Sequence, residues 1–386
     1  MKVVLAHPSL NRGGGAEKVC LTMLKALVNT GSKVRLATVE KTNWGFLEDR
    51  FGPLPRPHEE TCFAREVPVR GSFSQAVFTV PSFFSMLMKL HAEEKRNLVV
   101  NTYGELFDLF ADISYVNALP LRIIHEFPDE HSSQRLLWRT SSCYKMLLKP
   151  LENSFGVGTL LSNSIFIKNV LHRYLNRDSV VVYPPVDAAK IMSKGLQPRL
   201  EDLVVTVSRF RKGKCLELIP RIARVTARAR FKILGIADQA SGSTIASLTK
   251  QIYESGVKDN VQVLLNRNYR ELECALSSAK IFLHTQATEA FGISIVEAMA
   301  YGCVPVVPRS GGPWIDILDG KQGQYGYSYS TVEEAARLIE MLLANENLRL
   351  EISSKARRRA RDFDSSRFER KLLSIISRVY ADKMKE

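Results

Sequence analysis

The sequence has no Cys-x-x-Cys pair, no long apolar run, no internal repeat and no low-complexity tract. Each absence removes a class of protein. The six cysteines, at positions 20, 62, 143, 215, 274 and 303, are too far apart for a zinc or dithiol motif. Several lie inside apolar runs, so they read as buried free thiols suited to a reducing compartment. Without a run of about 18 apolar residues, no segment is expected to span a membrane. The apolar-rich stretch 76–90 is interrupted by Pro81 and Lys89. Met1–Ala6 is too short for a signal-peptide core and reads as a first strand. The one glycine cluster lacks both the G-x-G-x-x-G spacing of a dinucleotide site and the Gly-Lys-Ser/Thr ending of a nucleoside triphosphatase loop.

What remains is an ordinary globular composition, 45% hydrophobic and 24% charged. A length of 386 residues allows two domains of roughly 150 residues, each large enough for its own core. The net charge of +14 and pI near 9.5 suit anionic partners: nucleic acid, phosphorylated ligands or an acidic membrane surface. A well-solvated basic surface explains the same numbers.

Hydrophobic periodicity predicts a strand–turn–helix–strand opening. Residues 2–6 form a buried strand, Gly13–Gly15 a turn, Ala16–Leu27 a helix with apolar positions 19, 20, 23, 24 and 27, and Val34–Val39 a second strand. Residues 40–75 look irregular and Phe83–Leu90 helical. Further strands are expected at 98–102, 112–117, 156–162 and 179–183. The stiff Tyr183-Pro184-Pro185-Val186-Asp187 reads as a joint, placing domains at 1–187 and 188–386, with the C-terminal helix packing back on the first. A second series follows, with strands at 203–208, 231–235, 261–265, 281–283 and 304–307. Alternating strands and helices imply two tandem doubly wound α/β domains, whose ligands bind outside the carboxyl ends of the strands.

Three polar groups follow predicted strands. Gly13-Gly14-Gly15 offers side-chain-free amides and a helix start to a phosphate, or is simply a tight turn. Arg209 and Lys214 can both reach a diphosphate, although Arg211 and Lys212 share their loop and leave the register open. Glu289 and Glu297 flank a helix start at Phe291-Gly292-Ile293 whose amides suit an anion. Glu297 there suits ribose hydroxyls and Glu289 a sugar; ordinary helix-start and surface acids remain the plain alternative. Asp362-Phe363-Asp364 is expected to be ordinary surface acids, and Asp129-Glu130-His131 is weak as a metal cluster. Trp138 with Arg135, Arg139, Lys145 and Lys149 suggests a basic, aromatic membrane-facing surface, which Phe83, Phe84, Met86, Leu87 and Met88 join unless they form a core helix.

Taken together, these motifs resemble the retaining, nucleotide-sugar-dependent glycosyltransferases of family 4, whose two Rossmann-like domains face across a cleft in the fold named GT-B. Gly13-Gly14-Gly15-Ala16-Glu17 resembles their glycine loop, and Val204 through Lys214 their basic pair. Glu289 to Glu297 matches their Glu-x7-Glu signature, including Phe291-Gly292 and Glu297-Ala298-Met299-Ala300-Tyr301-Gly302. His7-Pro8, Tyr183-Pro184-Pro185 and Ser310-Gly311-Gly312-Pro313 look most like the mannosyltransferases that extend dolichol-linked oligosaccharides. The resemblance implies a hexosyltransferase using guanosine-diphosphate mannose or a uridine-diphosphate sugar. It implies a lipid-linked glycan acceptor, no metal, no cofactor, and peripheral attachment to the cytosolic face of a membrane.

The implied roles fall on matching positions. Arg209 and Lys214 stabilise the leaving diphosphate, Glu289 meets the donor sugar and Glu297 the ribose. Gly14 and Gly15 let the N-terminal backbone approach the ligand. The sequence departs from the family twice. Asn117 stands where members carry a histidine, with His125 nearby as a substitute, and Cys215 follows Lys214 where a glycine is usual. Other readings are a soluble transferase or phosphorylase acting on glycogen-like polymers and a non-catalytic sugar-nucleotide sensor. A basic nucleic-acid-binding module has no recognisable motif behind it.

Overall fold

The structure, a computed structural model, describes residues 1–64, 72–104, 108–120, 158–200 and 202–385. The chain divides into two compact units, Met1–Pro185 with Ser365–Glu386, and Val186–Asp364.

The first unit is a parallel sheet of seven strands: β1 (Lys2–His7), β2 (Lys33–Glu40), β3 (Glu59–Ala64), β4 (Leu98–Asn101), β5 (Ile113–Val116), β6 (Thr159–Ser162) and β7 (Val180–Val181). Their spatial order is β3-β2-β1-β4-β5-β6-β7, with every pairing parallel. The central strands are near-continuous apolar runs because helices cover both faces. Helix Gly15–Asn29 buries Val19, Cys20, Met23, Leu24 and Leu27, the positions its 3.6-residue period predicts. Helix Ser72–Glu93 carries Pro81 and buries Phe83, Met86, Leu87 and Leu90 with Val4 and Val99, leaving Met88 exposed. Those apolar residues are therefore core. The stretch 129–149, with its basic and aromatic residues, lies outside the described residues, as does His125.

Strand β3 corrects the expectation of an irregular 40–75. It is an edge strand pairing only with β2, and Glu59-Glu60-Thr61 gives it no apolar alternation to detect. The C-terminal helix packs back on the first unit, and the domain limits shift with it. The division falls between Pro185 and Val186, and the chain from Ser365 onward groups with the first unit instead of with 188–364. Helix Ser365–Lys383 buries Phe368, Leu372, Ile375 and Ile376 in the first unit's core, where Phe368 meets Tyr115 edge-on at 6.2 Å. Lys383 Nζ closes this packing on both oxygens of Asp112, at 2.9 and 2.7 Å.

The second unit is also wholly parallel: β8 (Leu203–Val207), β9 (Arg230–Gly235), β10 (Val261–Leu265), β11 (Ile281–Leu283), β12 (Val304–Pro308) and β13 (Tyr327–Tyr329). The order is β10-β9-β8-β11-β12-β13. Strand β13 was not expected; at three residues it is too short for a period to register. Asp362-Phe363-Asp364 is not a plain surface run either. Phe363 is buried, Val186 N–H donates to its carbonyl at 3.1 Å, and Asp364 Oδ2 accepts Ala189 N–H at 2.8 Å. The motif ties together the two ends of the second unit.

In each sheet the strand order reverses once, between β1 and β4 and between β8 and β11. Loops leaving the carboxyl ends of such a pair diverge and open a crevice. Phe368→Ala should remove about 3–5 kcal/mol from the first unit by cavity formation. Calorimetry should then show the first unit's transition falling while that of Val186–Asp364 stays in place; an unshifted first transition would refute the packing role of the C-terminal helix.

Candidate active site

The reversal between β8 and β11 gathers the sequence-predicted residues of the second unit. After β8 the chain makes a 3-10 turn, Lys212–Lys214; after β11 it runs through His284–Gly292 into helix Ile293–Tyr301. Small residues seat both loops. A Cβ at Gly235 would lie 1.6 Å from Ser208 O, so only glycine lets the β8 loop cross the end of β9. A Cβ at Gly312 would lie 2.2 Å from Ala290 O, and Gly312 N–H donates to Glu289 O at 2.9 Å. Ser310 Oγ donates to Ala287 O at 2.5 Å. The Ser310-Gly311-Gly312 turn thus holds the backbone of the Glu289 loop from below.

Lys214 Nζ spans the reversal. It donates to Glu289 Oε2 at 2.6 Å and to Gln286 Oε1 at 2.5 Å, while Thr285 Oγ1 donates to the Lys214 carbonyl at 2.7 Å. These bonds single out Lys214 as the cation of its loop that is joined to Glu289. Arg211 pairs with Asp238 instead, and Lys212 is exposed. Arg209 is exposed and, among the described residues, forms no ion pair. It is nonetheless close enough to act on the charge of Glu289.

Burial would raise the Glu289 carboxyl, but the Lys214 ammonium more than offsets it, with His284, protonated at such low pH, and Arg209 assisting, and holds it at about 2. Burial pushes the His284 imidazole down to about 4, against the upward pull of Glu289 and with the downward push of Lys214. At neutral pH His284 is therefore uncharged, and among the described residues Lys214 and Arg209 balance Glu289. A carboxylate so strongly ionised is a poor proton acceptor. It is suited to fixing Lys214 and accepting hydrogen bonds from hydroxyls.

Helix Ile293–Tyr301 starts at Gly292 in the left-handed region (φ 101) with no side-chain cap. Its first internal bonds are donated by Ile295 and Val296 to Gly292 O, so the amides of Gly292, Ile293 and Ser294 precede the ladder and are available to an anion. Phe291 anchors the loop by burying its ring against Phe363, 5.2 Å between centroids. Glu297 stands one turn into the helix, half-buried.

The first unit places its predicted residues differently. Gly14 N–H donates to Glu17 Oε2 at 2.7 Å, so this amide is already taken within the helix start and does not await a phosphate. Gly13 is the glycine the turn requires, at φ 56 with Arg50 Cδ 2.7 Å from any Cβ. Gly15 begins the helix. Asn117 Nδ2 donates to Thr102 O at 2.7 Å, and Asn163 Nδ2 donates to Asn117 O at 2.8 Å. Asn117 therefore splints the ends of β4, β5 and β6.

One residue escaped the sequence reading. His284 directly follows strand β11, one residue after its last apolar position, a signal that was there to find. Cys215, the departure from the usual glycine, adopts φ 50, the conformation that favours that glycine. Cys215→Gly should raise stability by about 1 kcal/mol, read as a higher midpoint in urea; a lower midpoint would contradict the strain.

The two titrations set an acid sensitivity. Unfolded, His284 gains a proton near its ordinary 6.5, whereas folded it gains one only near 4. The unfolded chain binds more protons between those values, so stability falls as pH drops from 6.5 to 4. The depressed Glu289 carboxyl adds a loss from 4.5 towards 2. Denaturation midpoints of His284→Phe should be flatter than wild type between pH 6.5 and 4; equal slopes would exclude His284 as the cause.

Residues 187–359 match the family Glycosyl transferases group 1. The GDP-Man:Man(3)GlcNAc(2)-PP-Dol alpha-1,2-mannosyltransferase of Dictyostelium discoideum is 28% identical over 234 residues, 57% of this chain and 46% of that protein. The chain thus spans about half the length of the curated relatives it matches. Sucrose-phosphate synthase from Thermosynechococcus elongatus superposes with a TM-score of 0.76 at 14% identity, covering 99% of this chain and all of the other. Anabaena HepE in complex with UDP and glucose superposes with a TM-score of 0.71 at 19% identity, covering 98% and 99%. The fold is GT-B, and the match to the glycosyl transferases group 1 family is carried by residues 187–359.

Proposed function

We propose that this protein moves a mannosyl group from a nucleotide-diphosphate sugar to a lipid-linked oligosaccharide, retaining the anomeric configuration. The observation behind it is the convergence of Arg209, Lys214, an ionised Glu289 and the amides before Glu297 at one strand reversal. Mannose and the dolichol-type acceptor are carried over from the activity in the Dictyostelium relative's name.

The donor's diphosphate sits against Lys214, Arg209 and the amides of Gly292, Ile293 and Ser294, and Glu297 holds the ribose. The bond between the anomeric carbon and the diphosphate oxygen breaks, and the acceptor hydroxyl oxygen bonds to the carbon on the same face. Retention brings the departing oxygen beside that hydroxyl, where it takes the proton. Charge developing on the leaving group meets preorganised donors, commonly the largest single term in such catalysis. These groups supply the charge that a metal would otherwise bring, so neither metal nor organic cofactor is required. Asn117, which can neither take nor give a proton at neutral pH, positions strand ends and does not act as a base.

The acceptor's lipid calls for a membrane surface, and the protein attaches to its cytosolic face peripherally. Among the described residues, no helix is long and apolar enough to cross a membrane. The net charge of +14 favours an anionic surface.

Purified protein should transfer mannose from guanosine-diphosphate mannose to a polyprenyl-diphosphate-linked oligosaccharide, with chelator present. Lys214→Ala and Glu289→Ala should each lower kcat/KM by about 100-fold or more. Activity lost to chelator and restored by magnesium would overturn the metal-free reading, and full activity in Glu289→Ala would overturn the site.

A further inference from the structure

We propose that His284 reads the transferred sugar: its Nε2–H and the Glu289 carboxylate form a donor–acceptor fork for one sugar hydroxyl. The inference rests on the donor site proposed above and names a residue that site does not otherwise use.

His284 follows β11 directly and is 4% exposed. Its backbone is held on both sides, its N–H donating to Val306 O at 2.9 Å and its carbonyl accepting the Tyr329 hydroxyl at 2.7 Å. The ring therefore has a fixed origin in the sheet. Nε2 is buried and has no hydrogen-bond partner among the described residues. Glu289 Oε2 lies 3.7 Å away, beyond the reach of a direct hydrogen bond. A buried polar atom left so is costly, and native structures reserve such atoms for water, ligand or function.

The charge opposite decides the tautomer. Glu289 is ionised and can only accept, so a lone pair on Nε2 would face another acceptor across the gap. The tautomer with its proton on Nε2 avoids this and points an N–H towards the site. A hydroxyl is the small group that answers both partners, because it accepts from Nε2–H and donates to the carboxylate. Its oxygen can stand about 2.8 Å from each atom over a 3.7 Å base. A phosphate oxygen cannot, since it has no proton for Glu289. An ammonium cannot, since it repeats the role of Lys214, which already holds Oε2 at 2.6 Å. The fork therefore selects a hydroxyl and not the diphosphate, and the bare nucleotide in the test separates the transferred sugar from the ribose.

The test compares guanosine diphosphate, guanosine-diphosphate mannose and its monodeoxy-mannose analogues by calorimetric titration. The proteins are wild type, His284→Phe, which keeps the ring's bulk, and His284→Gln, which can restore an N–H. His284→Phe should bind guanosine diphosphate within about twofold of wild type and guanosine-diphosphate mannose about tenfold or more weaker, with His284→Gln recovering part of the loss. One monodeoxy analogue should bind wild type as weakly as the full sugar binds His284→Phe, and should lose nothing further in the variant. Equal weakening of the bare nucleotide and the nucleotide sugar would show a merely structural histidine and overturn the proposal. So would deoxy losses that simply add to the variant's loss. Should His284→Phe not fold, wild type that is indifferent to every single deoxygenation overturns it as well. Wild type that binds neither guanosine nor uridine diphosphate sugars overturns the donor site itself. A fork that fails while wild type still binds and transfers the sugar leaves that reading intact.

Discussion

Lys214 and Glu289 hold the second unit's site together across the reversal of its sheet. Each would be a liability alone. Burial works against the ionised Glu289, and the ammonium 2.6 Å away is what keeps it charged. The pair also joins loops from β8 and β11, strands whose connections otherwise diverge. Gln286 and Thr285 complete the attachment, one to the Lys214 ammonium and one to its carbonyl. The Ser310-Gly311-Gly312 turn then determines how high the Glu289 backbone stands. That ion pair is built before a ligand arrives.

The first unit follows the same topology with different chemistry. Its reversal between β1 and β4 brings His7, Glu17 and Thr102 together, fully or nearly buried. His7 Nδ1 lies 2.8 Å from Thr102 Oγ1, and its Nε2 lies 3.8 Å from Glu17 Oε1. Glu17 takes the Gly14 amide with its other oxygen. The glycine loop is therefore braced by its own helix, and its open turn is owed to Gly13 and not to the two glycines that follow. Asn117, standing where the family resemblance implies a histidine, is absorbed into bracing the strand ends.

Much of this was legible in advance because strands of period two and helices of period 3.6 leave local marks. The strands from β1 to β12 were readable wherever they were buried on both faces. Among the strands, the failures were the polar edge strand β3 and the three-residue β13, where no period could show; the helix Trp44–Phe51 inside the stretch expected to be irregular was missed too. Glu289, Arg209 and Lys214 were legible as chemistry after strands. The choice of Lys214 over Arg211 and Lys212 was not, since all three are cations in one loop.

The sequence by itself determined that this is a parallel α/β chain with two carboxylates flanking a helix start, because those properties depend on neighbours within a few positions. Tertiary structure decided the rest. It paired Lys214 with Glu289, set the unpartnered Nε2 of His284 beside that carboxylate, spent the Gly14 amide on Glu17, and sent helix Ser365–Lys383 into the first unit's core. All but the Gly14 capping bond depend on how burial, strand order and side-chain reach combine in the folded chain. No local period carries that information.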